Sequence, residues 1–348
     1  MTLQSDPRWS NGARLAIQVA WSTEEYTNEG SGSTPAPAQP VSVDALDVGG
    51  AVSDQGAGSY RAVIDTPSGA SGNLTVAIEG HPQADLQGNG NYESIQVRSV
   101  FADVNIELRE SVRARRRVID IDKCNACHDT VGAGLSLHGD NRAGEMQVCV
   151  LCHNNDATDI RQRPADPSMA LDGKREESVD IKRMIHQIHA GKDLEEGLVI
   201  YGFGGFPHDY SFVGFVGNNR NCLTCHLPGT YSADAAWTSS SSTVDTGAEV
   251  TDPSDDLNIS PVTAVCSSCH DTGRAKQHMV QNGGTFGSLD ENIAIAAAPE
   301  PGGLELSLVA LGSLGALARR RFRQLNRVEV DSGPRDARDE GRRVLRSG

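Results

Sequence analysis

The chain has 348 residues, 38% of them apolar but only 5% aromatic, and a formal net charge of −15. That length accommodates two domains, and the excess of acid speaks against a nucleic-acid partner. Ten of the 31 basic residues and five of the 46 acidic ones fall within 319–348, which leaves 21 bases against 41 acids, a net −20, in the part before it.

Residues 1–117 read as an all-β domain, a sandwich or split barrel. "ARLAIQVAW" (13–21), "GSYRAVID" (58–65), "GNLTVAIEG" (72–80) and "ESIQVRSVFADVNIEL" (93–108) are β-rich runs, several alternating apolar with polar residues. "GSGSTPAPAQP" (30–40) is a loop by composition. "DLQGNGNYES" (85–94) has the Asp/Asn/Gly spacing of a calcium loop but too few carboxylates, so a hairpin turn is the expectation. The start, "MTLQSDPRWSNGARLAIQ", has neither the basic nor the apolar region of a signal peptide. The first strand is therefore read as entered midway through a longer, N-terminally truncated protein.

"RARRRVIDID" (113–122) marks a boundary, after which 118–288 changes to short helices and irregular loops around four repeats of one pattern. The repeats supply Cys124/Cys127/His128, Cys149/Cys152/His153, Cys222/Cys225/His226 and Cys266/Cys269/His270, which use all eight cysteines. A thioredoxin-like redox pair needs one reactive dithiol, not four copies. A zinc site needs four N/S ligands and gives no reason for a His after every second Cys. Covalent haem attachment does: two thiols bond the porphyrin edge and the adjacent imidazole reaches the iron. The reading is four covalently bound haem c groups, with zinc the remaining alternative. Haem is attached this way outside the bacterial cytoplasm, so the chain is expected to be exported.

Six histidines remain beyond the repeats. His186 and His189 lie in "VDIKRMIHQIHAG", where Ile181, Met184, Ile185 and Ile188 recur at helical spacing and Gly191 is a stop signal. His278 sits in a second short helix closed by Gly, and His138 in the turn "LSLHGDNR". These four are the expected second axial ligands. His208, after a Gly-rich loop, is held in reserve; His81 belongs to the β pattern. Met1, Met146, Met169, Met184 and Met279 are an unneeded second supply. Two imidazoles per iron leave no open position and suit an electron conduit; a reductase of a small oxyanion would need one open iron. The aromatic-Gly runs "YGFGGF" and "YSFVGFVG" could lie against porphyrin faces or pack as ordinary loops and strands.

Residues 289–323 form a linker and a short apolar segment, and 324–348 a polar tail. "AAAPEPGGLELSLVALGSLGALARRRFRQ" (296–324) has Pro-Glu-Pro, an apolar run at 303–318 interrupted by Glu305, and an Arg cluster. The run is short for a spanning helix. It resembles the PEP-CTERM sorting signal of exported bacterial proteins, from which Glu305 and the tail 324–348 depart, with an interfacial amphipathic helix or a translated artefact as the alternatives, and it suggests association with a membrane or the cell surface.

"VIDIDKCNACHD", "LSLHGDNR", "VCVLCHNNDATD", "IKRMIHQIHAG", "GNNRNCLTCHLPGTY" and "SPVTAVCSSCHDTGRAKQHMVQNGG", in that order, together resemble the OmcA/MtrC family of outer-membrane multihaem c-type cytochromes. The resemblance covers about residues 11–285. It implies a β-domain followed by a multihaem domain, and electrons hopping along bis-His haems. It also implies delivery to extracellular acceptors such as metal oxides, flavins or partner cytochromes, at the outer membrane or cell surface, with the periplasm as the alternative. The chain carries fewer motifs than the family's haem domains typically have.

Overall fold

The alternating runs before residue 107 fold as strands, and the two longest form the centre of a sheet. In the computed structural model, β1 (Arg14–Trp21), β2 (Val41–Asp44), β5 (Asn73–His81) and β8 (Val100–Asn105) form an antiparallel sheet of order β2-β1-β5-β8. The structure describes residues 3–23, 28, 39–47, 50–65, 70–107, 115–129, 132, 134–232, 240–250 and 252–287. The apolar run at 303–318, the Arg-rich tail and most of the 30–40 loop lie outside them. Hairpins β3 (Val52–Gly56)/β4 (Ser59–Ala62) and β6 (Gln83–Ala84)/β7 (Glu93–Ser94) complete the β region. The turn expected at 85–94 joins β6 to β7. Asp85 closes it by accepting from the N–H groups of Asn89 and Gly90 at 3.1 and 2.8 Å.

Side chains alternate across a strand, so pairing assigns each residue a face. Gln18, Ala20, Thr75, Ala77, Glu79 and Phe101 share one face; Ile17, Val19, Trp21, Leu74, Val76, Ile78 and Val100 share the other. The smaller, more polar face packs on the second half of the chain: Ala20 and Ala77 meet Val148 and Leu151, with Phe101 beside them. On the more apolar face Val19 and Trp21 are buried, but Ile78 and Val100 are 44% and 55% exposed.

The second half is built from short elements: α1 (Ile121–His128), β9 (Ser136–Leu137), β10 (Arg142–Ala143), α2 (Met146–Cys149), α3 (Ile181–Ala190), β11 (Val199–Gly202), β12 (Phe206–Asp209), β13 (Ser242–Asp245), β14 (Leu257–Ile259), α4 (Pro261–Ser267) and α5 (Gly273–Gln281). Helices this short need capped ends. Side chains of Asp120, Glu145, Asp180 and Thr272 accept first-turn N–H groups of α1, α2, α3 and α5. The β-rich region followed by a short-helix region is the expected fold class. Among the described residues no helix is long and apolar enough to cross a membrane.

Apolar residues are scarce here, and polar staples supplement them. Ala157, Val179, Met184, Leu198 and Ile200 form one cluster, closed by Ile181, Ile185, Ile188 and Tyr210. Beside it the buried Arg163 uses all five of its donors. Nε bonds Asp159 at 2.7 Å, the two Nη groups grip both oxygens of Asp172 at 2.6 and 3.1 Å, and the carbonyls of Lys174 and Val199 take the rest. A fully bonded guanidinium is what makes a buried charge tolerable. This one ties the 159–177 loop to β11.

Candidate functional site

All four motifs adopt one local turn. The two Cys are three residues apart, one helical turn on, so their thiols leave the same side. The next residue closes the turn: the N–H groups of His153, His226 and His270 donate to the carbonyls of Cys149, Cys222 and Cys266 at 3.0, 2.9 and 3.0 Å. The first motif does the same inside α1, whose last residue is His128. All eight thiols are free of disulfides. Burial pushes Cys149 up to about 12 and Cys124 and Cys152 up to about 11. Thiols held protonated in this way are poor dithiol redox centres. Among the described residues no three His, Cys, Asp or Glu side chains converge to hold a metal ion.

The motif histidines are instead paired with the others. His128 faces His189 with ring centroids 6.0 Å apart, His153 faces His138 at 6.0 Å, and His226 faces His186 at 5.9 Å. Two metal–nitrogen bonds of about 2.0 Å, with about 1.1 Å from each nitrogen to its ring centre, separate centroids by about 6.2 Å. The three spacings therefore fit one iron between each pair. Two of the rings have their tautomer set by the backbone: Nδ1 of His153 lies 3.0 Å from the Val179 carbonyl, and Nδ1 of His189 lies 2.8 Å from the Ile185 carbonyl. Each Nδ1–H donates there, which leaves Nε2 as the lone-pair nitrogen. Burial lowers the pKa of His153 and His186; burial, then His186 and Lys123, push His226 down to about 4. Neutral imidazole is the ligating form.

His138 reaches its place through a left-handed turn. His138, Gly139 and Asp140 have φ of 57°, 67° and 64°, which reverses the chain between β9 and β10. Arg142, at the end of that turn, is held by the buried Glu79 through bonds of 2.7 and 2.8 Å, and Gln18 donates to the same carboxylate at 2.8 Å. The β-sheet thus reaches into the second motif.

Helix α3 touches all four motifs. It carries His189 opposite the first and His186 opposite the third. Its first N–H, on Ile181, donates to the carbonyl of His153 at 3.1 Å. Arg183 donates to Ser267, inside the fourth motif, at 2.9 Å. Its other face, with Met184, Ile185 and Ile188, fills the core cluster. Gly191 ends the helix, as expected, but in right-handed geometry. Glycine is needed because a side chain there would strike the Tyr210 carbonyl. The first and third motifs also lie back to back: the Asp120 N–H donates to the Cys225 carbonyl at 3.0 Å, and Lys123 caps the Leu223 and His226 carbonyls at 2.9 and 2.7 Å.

The expected ligands are not all brought together. His270 and His278 are exposed, and neither ring lies against another described imidazole. His208 is exposed on β12 against Tyr210, and His81 is buried with Nδ1 beside Gln83 at 3.3 Å. Residues not singled out in the sequence also border the pairs. Tyr231 packs edge-on to His226 at 6.0 Å, and Arg142 sits beside His138 and His153. Phe215 packs edge-on to His189 at 5.6 Å. Its run "YSFVGFVG" offered an aromatic signal in the sequence, whereas Arg142 had none.

A family model described as outer membrane cytochrome MtrC/MtrF-like, domains II/IV, matches residues 116–298, more than half of the chain. Among solved structures, the crystal structure of MtrC from Shewanella baltica is similar at 15% identity and a TM-score of 0.44, over 81% of this chain. The chain spans 43% of the length of that protein. A comparison with curated proteins found no match.

Proposed function

We propose, from the premise that the chain belongs to the MtrC/MtrF-like family of outer membrane cytochromes, that residues 118–288 are a tetrahaem domain that conducts electrons. The single observation supporting this most is the pairing of three motif histidines with three others at 5.9–6.0 Å. In this reading the eight cysteines hold four haem c groups. The irons would be held by His128 with His189, His153 with His138, and His226 with His186. The fourth, His270 with His278, rests on its motif and on the supply of histidines. Haem bound there supplies one-electron chemistry at iron. The chain's part is to fix His153 and His189 by backbone carbonyls, to pack Phe215 and Tyr231 against His189 and His226, and to keep water from the inner face of α3 with Met184, Ile185 and Ile188.

Residues 1–117 serve as the β-domain that braces the second motif through Glu79 and Arg142. Electrons leave to partner cytochromes, metal oxides or flavins at the outer membrane or cell surface, because coordinatively saturated irons need no substrate pocket. One observation favours the alternative, an oxyanion reductase: no described imidazole lies against His270, as an open iron there would require.

Intact mass and ferric visible spectra of the chain, matured with a c-type haem attachment system behind a signal peptide, test the reading. The conduit requires four covalent haems, all low-spin, and a Cys222→Ala/Cys225→Ala variant with three. A high-spin ferric component in the wild type supports the reductase. A mass without haem overturns both.

A further inference from the structure

We infer that the His128/His189 site differs electronically from its neighbours, because Phe215 holds the His189 ring across the plane of the His128 ring. The inference rests on the bis-imidazole reading above and adds to it which site is distinct and which residue makes it so.

The three pairs have nearly equal spacing and unequal orientation. The planes of His186 and His226 meet at 9° and those of His138 and His153 at 25°, but those of His128 and His189 meet at 72°. His189 is pinned at two points. Its Nδ1 bonds the Ile185 carbonyl one turn back on α3, and the Phe215 ring packs against it at 5.6 Å and 80°. Phe215 is itself anchored to the end of α3. The Lys192 N–H donates to the Val213 carbonyl at 2.9 Å, the Tyr210 carbonyl occupies the space a Gly191 side chain would need, and Gly214 lies against the Lys192 side chain. The aromatic neighbour of the third pair, Tyr231, leaves its rings parallel.

Orientation matters because an axial imidazole donates π density into the iron d orbital perpendicular to its own plane. Two parallel rings raise the same orbital and split the dπ pair. Two crossed rings raise one orbital each and leave the pair nearly degenerate. Near-degeneracy keeps orbital angular momentum unquenched in low-spin ferric iron and stretches its EPR signal to high g, while parallel rings give an ordinary rhombic signal. The chain therefore uses one side-chain packing contact beyond the ligands to set the character of one site.

Low-temperature EPR of the oxidised holoprotein tests this. The wild type is expected to show one high-g signal integrating to a single haem, together with rhombic signals from the His138/His153 and His186/His226 sites. His189→Met should abolish the high-g signal. Phe215→Leu, which keeps an apolar side chain but removes the ring edge, should convert it towards the rhombic form while the visible spectrum stays low-spin. Only rhombic signals in the wild type, or a high-g signal unaffected by His189→Met or by Phe215→Leu, would overturn the inference while leaving the bis-imidazole reading intact. Failure of that reading registers separately, as missing haem mass or high-spin bands in the visible spectrum.

Discussion

Asp256 shows how strongly acidic composition acts on single residues in this fold. It is half-buried, and burial, then Asp156, Asp255, Glu176 and Asp245, push its pKa from 3.8 up to about 6. A carboxylate whose folded value lies above its free value binds its proton more tightly in the folded state. Its ionisation then costs stability above the folded pKa, and the cost disappears below the free value. Asp256→Asn is therefore expected to raise Tm near neutral pH and to leave it unchanged below 3.8, measured by thermal circular dichroism across a pH series. An unchanged Tm at neutral pH would show that the charge is relieved by solvent. At this same scale the sequence was most informative about covalent chemistry. Cys124, Cys127 and His128 are adjacent in the chain, so the proposed attachment of one macrocycle is legible there as a string. The pairing of His128 with His189 across 61 positions is tertiary, and nothing in the local spacing of either residue states it.

Periodicity made α3 legible as an element, because Ile181, Met184, Ile185 and Ile188 mark its core side and leave His186 and His189 for another. The sheet was legible as strands but not by the face it buries. Alternation alone would turn Ile17, Val76 and Ile78 inward, yet the face carrying Gln18, Thr75 and Glu79 meets α2. That face can be covered because its polar atoms are satisfied. Gln18 and Arg142 saturate Glu79, and Thr75 donates to Asp103 at 2.6 Å. Glu79→Ala leaves Arg142, whose side chain is 27% exposed, without its counter-charge at the second motif. We expect a loss of about 2 kcal/mol or more, read from the denaturant midpoint. A loss below about 0.5 kcal/mol would mean that the Glu79–Arg142 pair adds little to the other contacts that join the sheet to the second motif.

Across the whole molecule, residues 1–318 carry a net −20 and few aromatics, and the described helices are short. Phe203, Phe212 and Val216 are 95%, 77% and 92% exposed, and bound macrocycles would give such residues an apolar surface to pack on. The acidic surface should draw in cationic electron acceptors. Stopped-flow reoxidation by a cationic chelate is expected to slow as ionic strength rises, and reoxidation by an anionic one to quicken. Equal salt dependence for both would remove the steering argument. In the proposed function α3 supplies the second imidazole to two irons and the 138 turn supplies it to a third. Anomalous diffraction at the iron edge, on crystals of the matured protein, tests it most directly. Iron peaks are expected between His128 and His189, between His153 and His138, and between His226 and His186, with a fourth at His270. Irons bound to the motif histidines with no imidazole from His138, His186 or His189 opposite them would contradict it.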